Sequence, residues 1–108
     1  MNTIKDERFD EILRDMAARF VALESNRTSM ITVTRVESKD RGALATIFLT
    51  VFPENQEGAA IDFLKRNRSE FRQFVKDNAR LMRIPFFDFE IDRGEKARQK
   101  IDDITLRP

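Results

Sequence analysis

Between Ala60 and Pro85 the sequence AIDFLKRNRSEFRQFVKDNARLMRIP repeats apolar residues at threes and fours, and no other stretch limits the fold as strongly. Ala60, Phe63, Leu64, Phe71, Phe74, Val75, Leu81 and Met82 form one helical stripe. Around the stripe stand seven basic residues, Lys65, Arg66, Arg68, Arg72, Lys76, Arg80 and Arg83, against three acidic ones, Asp62, Glu70 and Asp77. This local excess of four positive charges sits in a chain whose total is only +1. The stripe breaks once. Asn67 stands where the period asks for an apolar residue, and Arg68 and Ser69 follow it. Polar side chains there compete with the backbone ladder, so the pattern predicts two helices joined by a bend at Asn67–Ser69, with Ile84-Pro85 ending the second.

The 108 residues predict a single domain over 1–108, large enough to bury a modest core. Cysteine and histidine are both absent, which removes disulfides, the thiolate nucleophile, the usual general base and the commonest transition-metal ligands. No apolar run approaches the roughly 20 residues needed to cross a bilayer. The opening MNTIKDERFDE has no apolar core for a secretory signal, so a cytoplasmic protein without membrane association is expected. The basic excess falls on residues 26–52 and on the bent helix pair, which is the charge distribution expected of a nucleic-acid-binding surface. Solvated helix faces of the same composition are common, so charge alone decides little.

Around the helix pair the rest of the chain is read in order. Asp6 to about Glu24 predicts a first helix, with Phe9, Ile12, Leu13, Met16, Phe20 and Leu23 in register and Ala17 between them, closed by Asn26-Arg27-Thr28-Ser29. MITVTRVES (30–38), a turn at Lys39–Gly42 and ALATIFLTVF (43–52) predict a hairpin. In its second strand Ala45, Ile47, Leu49 and Val51 face the core. Thr46, Phe48, Thr50 and Phe52 line the open face with Thr32 and Thr34, where Phe48 would offer a stacking platform for a base or else simply pack across the strands. Glu54–Gly58 reads as a polar loop. FFDFEID (86–92) alternates, with Phe87, Phe89 and Ile91 inward and Phe86, Asp88 and Glu90 outward. After Gly94, Glu95–Ile104 predicts a closing helix with Ala97, Ile101 and Ile104 on its apolar side.

In this order, the segments ITVTRVESKDRGALATIFLTVF, RLMRIPFFDFEID and GEKARQKIDDI resemble the ribosome-binding factor A family over about residues 5–104. The resemblance implies an α+β fold of the type-II KH-like kind: a mixed three-stranded sheet packed on helices, in the order α-β-β-α-α-β-α, with no GxxG loop. The three glycines, Gly42, Gly58 and Gly94, form no such loop here either. In the family an Ala-x-Gly step marks the bend between the central helices. Asn67, Arg68 and Ser69 occupy those positions, so both small residues are replaced. The resemblance further implies a monomer that is not an enzyme and uses no cofactor. It binds the immature small ribosomal subunit and its rRNA, and assists late assembly and 5′-end maturation, notably in the cold.

Arg80 and Arg83, in the RLMRIP segment, are carried over from the resemblance as RNA-binding candidates. Arg66, Arg68, Arg72 and Lys76 join them on charge and position, with Arg68 on the bend itself, and Arg35, Lys39 and Arg41 around the hairpin follow. Each offers contacts to phosphate oxygens, which position a protein without reading sequence. Two other classes compete. A protein-interaction module would use the open sheet face around Phe48 and Phe52. A metal-dependent nuclease would use Asp88, Glu90 and Asp92 if all three pointed one way, although an acidic edge strand also serves to discourage aggregation. No catalytic or metal-binding residue is assigned.

Overall fold

The computed structural model describes residues 4–24 and 29–106, with side chains described for 8–23 and 29–102. Helix α1 (Ile4–Glu24) leads to strand β1 (Met30–Lys39) and strand β2 (Leu44–Phe52). Helices α2 (Glu57–Arg66) and α3 (Arg68–Asn78), strand β3 (Phe86–Ile91) and helix α4 (Arg93–Leu106) follow. The residues proposed to close the first helix, 26–28, lie outside those described. The sheet order is β1-β2-β3, antiparallel between β1 and β2 and parallel between β2 and β3. This is the expected mixed α+β, KH-like arrangement.

One face of the sheet carries the core. Ala45, Ile47, Leu49 and Val51 of β2 and Phe87 and Phe89 of β3 are buried on it, as the alternation predicts. Leu13, Met16, Ala17, Phe20 and Val21 of α1, with Ala60, Leu64, Phe71 and Val75 of α2 and α3, cover it. In α1 it is Val21 that faces inward, while Leu23 and Ile12 are exposed. Strand β1 keeps its apolar residues on the core face only because of a bulge between Val33 and Arg35. Val33 and Val36 are three apart and would otherwise point to opposite faces; the extra residue, Thr34, restores their agreement. The hairpin turns through three residues at positive φ: Asp40 at 53°, Arg41 at 56° and Gly42 at 85°. Gly42 is also close-packed, since a Cβ there would lie 3.1 Å from the ring of Phe9.

The bend forms at Asn67 (φ −105°, ψ 22°). Its side-chain amide donates to the Phe63 carbonyl at 2.7 Å, where its own backbone N–H also donates at 3.1 Å. This is the predicted competition between side chain and ladder. Asn67→Ala is therefore expected to lose about 0.5–1.5 kcal/mol, the worth of one such bond, read as a lower urea midpoint at unchanged slope.

Two boundaries and the facing of one helix differ from the sequence reading. The helix pair starts at Glu57, after a single 3-10 turn at Glu54–Gln56, rather than beyond a polar loop. It stops at Asn78 rather than Ile84, because Ala79 is extended (φ −130°, ψ 147°) and the Asn78 amide donates to the Phe74 carbonyl. Leu81 and Met82 thus leave the stripe, and Met82 is fully exposed. Helix α4 presents Ala97 and Ile101 to solvent, while the Ile104 side chain lies outside those described. Polar contacts orient α4 instead: Asp92 Oδ1 accepts the Glu95 N–H at 3.1 Å, and Lys96 bridges Glu54 at 2.8 Å and Glu57 at 2.9 Å.

Candidate nucleic-acid interface

The basic residues divide between two neighbouring clusters and three separate places. Arg68, Arg72 and Lys76 project from successive turns of α3 and, with Ser69, Gln73, Phe86 and Phe87, line a cleft of about 410 Å³ at the β3 edge. Arg72 is fixed within it. Its Nη2 donates to the Ile84 carbonyl at 3.0 Å and its Nε to the Pro85 carbonyl at 3.2 Å. Its guanidinium lies 4.9 Å from the centre of the Phe86 ring.

Arg41, Arg80 and Arg83 form the second cluster, around a cavity of about 340 Å³ floored by Phe9, Leu81 and Met82. Arg80 and Arg83 stand there on the 79–85 loop, not on a helix as the stripe predicts. Arg83 Nη1 lies 3.5 Å from the Arg41 carbonyl, which joins loop to hairpin. The two clusters border one short run of chain. Phe86 N–H donates to the Ala43 carbonyl at 2.9 Å beside the hairpin turn, while the carbonyls of the two residues before it hold Arg72. Six of the nine candidates thus line two cavities at the hairpin end of the sheet.

The remaining three are placed differently. Lys39 is exposed at the end of β1, and Arg66 is exposed on the last turn of α2 without an ion pair or hydrogen bond from its side chain among the described residues. Arg35 lies on the open sheet face with its guanidinium 3.8 Å from the centre of the Phe48 ring. It pairs with Glu37 and, through Nε at 3.2 Å, with Asp92. Arg35 therefore covers the ring that would have offered a stacking platform, and its charge is already answered by two carboxylates. Arg68 also has an acidic neighbour, Asp88, at 3.0 Å, but both side chains are half in water, where such a pair contributes little. Lys76 and Arg80 make no side-chain ion pair or hydrogen bond among the described residues.

The acidic row of β3 does not act as a unit. Asp88 faces Arg68 and Lys65, at 3.0 and 3.7 Å, whereas Asp92 is buried and bonded to Thr34 and Arg35. Among the described residues no group of three acidic side chains is placed to hold a metal ion. Asp92 is the functional-looking residue that charge counting misses. The Thr34 hydroxyl at 2.6 Å, then the Glu95 N–H and Arg35, hold its carboxyl below the usual range against the opposing effect of burial. A signal was present in Asp92-x-x-Glu95, the spacing of a helix cap with an acidic third residue.

The profile of the ribosome-binding factor A family matches residues 5–105, nearly the whole chain. This chain belongs to that family. Members from Kosmotoga olearia and Thermomicrobium roseum are 27% and 28% identical to it over 101 and 103 residues, in each case 92% of this chain and 80% of the relative. The crystal structure of ribosome-binding factor A from Thermus thermophilus superposes with a TM-score of 0.70 at 24% identity, over 81% of this chain and 96% of that one. A Thermus thermophilus ribosome-binding factor A homology model, fitted into the cryo-EM map of its complex with the 30S subunit, gives 0.60 at 22% identity, over 76% and 93%. At these identities the superpositions establish the shared fold. No described helix of this family member is long and apolar enough to cross a membrane.

Proposed function

We propose that this protein binds the immature small ribosomal subunit through rRNA phosphates. In this role it assists late assembly and 5′-end maturation in the cytoplasm, as a monomer and without catalysis. The observation that carries the reading is the gathering of Arg68, Arg72 and Lys76 with Arg41, Arg80 and Arg83 at the hairpin end of the sheet. Family membership and the 30S complex of the Thermus relative support it. Both clefts present guanidinium groups, and one an ammonium group as well, which suits the phosphates of folded RNA better than a row of base edges. Arg35, Lys39 and Arg66 contribute less, since Arg35 is neutralised locally and the other two line neither cleft.

Gradient sedimentation tests the proposal: the protein should travel with free small subunits. Lys76→Glu/Arg80→Glu reverses two charges that make no side-chain ion pair or hydrogen bond among the described residues, so it should lose co-sedimentation while keeping its melting temperature. Co-sedimentation of that variant at the wild-type level would reject the site. Affinity should also fall with salt, at a logarithmic slope of roughly 0.7 to 0.9 per neutralised phosphate. Met30 and Phe52 pair across β1 and β2 and are both exposed at the other end of the sheet, Phe52 by 72%. This pair favours a second reading, a protein partner on the open face, whose affinity would change little with salt.

A further inference from the structure

We propose that the cleft between α3 and the start of β3 captures one unpaired nucleotide of RNA, with its base stacked on Phe86 and its phosphate held by Arg72 and Lys76. The proposal rests on the RNA-binding reading above and adds to it a preference for an unstacked base.

Phe86 is 68% exposed on an edge strand, beside the partly exposed Leu44 of β2, and its ring also lines a strongly basic cleft. Exposure of a single aromatic is ordinary in itself. What gives it meaning is the fixed cation beside it. Arg72 spends its Nε and one Nη2 hydrogen on the Pro85 and Ile84 carbonyls, which leaves both Nη1 hydrogens and the second on Nη2 to donate elsewhere. Two backbone anchors have already ordered this long side chain, so little further entropy is lost when a phosphate arrives. Lys76 stands on the next turn of α3 with no partner of its own among the described residues, and Ser69, on the first turn of the same helix, adds a hydroxyl to the lining.

The cleft volume of about 410 Å³ falls within the roughly 300–1,000 Å³ typical of small-molecule sites. An aromatic ring set among cations matches a nucleotide better than it matches an acidic peptide. Every base has a flat π face to lay on the ring, and the adjoining phosphate brings the negative charge. A base inside a duplex cannot offer that face, so the site selects single-stranded or extruded nucleotides. Asp88 brings an opposing charge to the cleft through its pair with Arg68. Lys65, at 3.7 Å, remains to answer it if Arg68 turns toward the phosphate.

The test measures binding of three probes: a short single-stranded oligoribonucleotide, the same chain with its bases removed, and a duplex of equal length. Wild-type protein should prefer the intact single strand over the abasic one by roughly fivefold to a hundredfold, the range a base–aromatic stack supplies. Phe86→Leu should bring that ratio close to one without weakening the abasic chain, and Phe86→Tyr should restore it. Because the side chain is exposed, both variants should melt as wild type does. Equal wild-type affinity for intact and abasic strands, with small-subunit co-sedimentation retained, overturns the nucleotide site alone. Loss of binding to all three probes and to subunits overturns the RNA-binding reading and this site with it.

Discussion

Phe71→Ala is expected to destabilise the fold by about 3–5 kcal/mol, the range for truncating a fully buried phenylalanine. Against a total stability of about 5–15 kcal/mol for a domain of this kind, the loss is a fifth or more. Phe71 is 0% exposed and its ring stands 4.5 Å from Phe87, 5.1 Å from Phe20 and 5.7 Å from Phe89. These neighbours come from β3 and α1, so the ring is where α3 meets both the sheet and the first helix. None of them can follow the missing atoms without leaving its own element, and the cavity stays open. Phe74 supplies the contrast. It is half-buried with one ring neighbour among the described residues, Phe20 at 5.7 Å, and Phe74→Ala should cost clearly less. Urea unfolding at constant slope measures both. A Phe71→Ala loss below about 1 kcal/mol would show that the core collapses into the gap, contrary to this packing. The same ring positions the basic cleft, because Arg68, Arg72 and Lys76 occupy the turns of α3 on either side of it.

The two strongest periodic signals were readable from residues alone. Ala45, Ile47, Leu49 and Val51 alternate with residues of the open face, and Phe87 and Phe89 alternate with Phe86, Asp88 and Glu90, so the core face of β2 and β3 follows directly from the sequence. The bend was readable too, since its cause is local: one asparagine side chain turned onto the carbonyl four residues back. The end of α3 was not. Ala79-Arg80-Leu81-Met82-Arg83 has good helix propensity and masks the local stop, where the Asn78 amide turns onto the Phe74 carbonyl; beyond it Arg72 holds the Ile84 and Pro85 carbonyls at the cleft. The bulge at Thr34 left only the indirect trace that Val33 and Val36 are three apart in a strand. Helix α4 misled for a related reason. Its apolar positions look like a core stripe, but Asp92 and Lys96 fix the helix with that side outward.

The same division appears at the candidate interface. Net charge located the basic residues, and six of nine do gather at one end of the sheet. Which of them have a free hand could not be read from charge. That depends on long-range partners, such as Asp92 for Arg35 across 57 positions and Asp88 for Arg68 across 20. Phe86 was placed outward by alternation, but its company was invisible until the 79–85 loop brought Arg72 against it.

Asp92→Ala is expected to cost about 2–4 kcal/mol, combining a lost helix cap of about 1 kcal/mol with buried donors left unmet at about 1–3 kcal/mol. Asp92 is 4% exposed, and three elements meet at its carboxylate. Oδ2 accepts the Thr34 hydroxyl at the β1 bulge and Arg35 Nε, while Oδ1 accepts the first turn of α4. The Arg35 share is small because that guanidinium is half in water. The Thr34 hydroxyl, followed by the Glu95 N–H and Arg35, holds the folded carboxyl below its ordinary value. The sign of the pH effect follows. The carboxylate's contribution is complete above the unfolded value of about 4 and disappears as pH falls from there through the lower folded value. Asp92→Asn keeps the capping oxygen but has no charge to lose. Its stability deficit relative to wild type should therefore be greatest near neutrality and shrink on acidification below about pH 4. Urea midpoints of the two proteins, taken at steps from neutral to acid, measure that difference. A deficit that stays constant down to about pH 2 would mean that the carboxylate's charge is not what fastens α4 to the bulge and that shape alone does so.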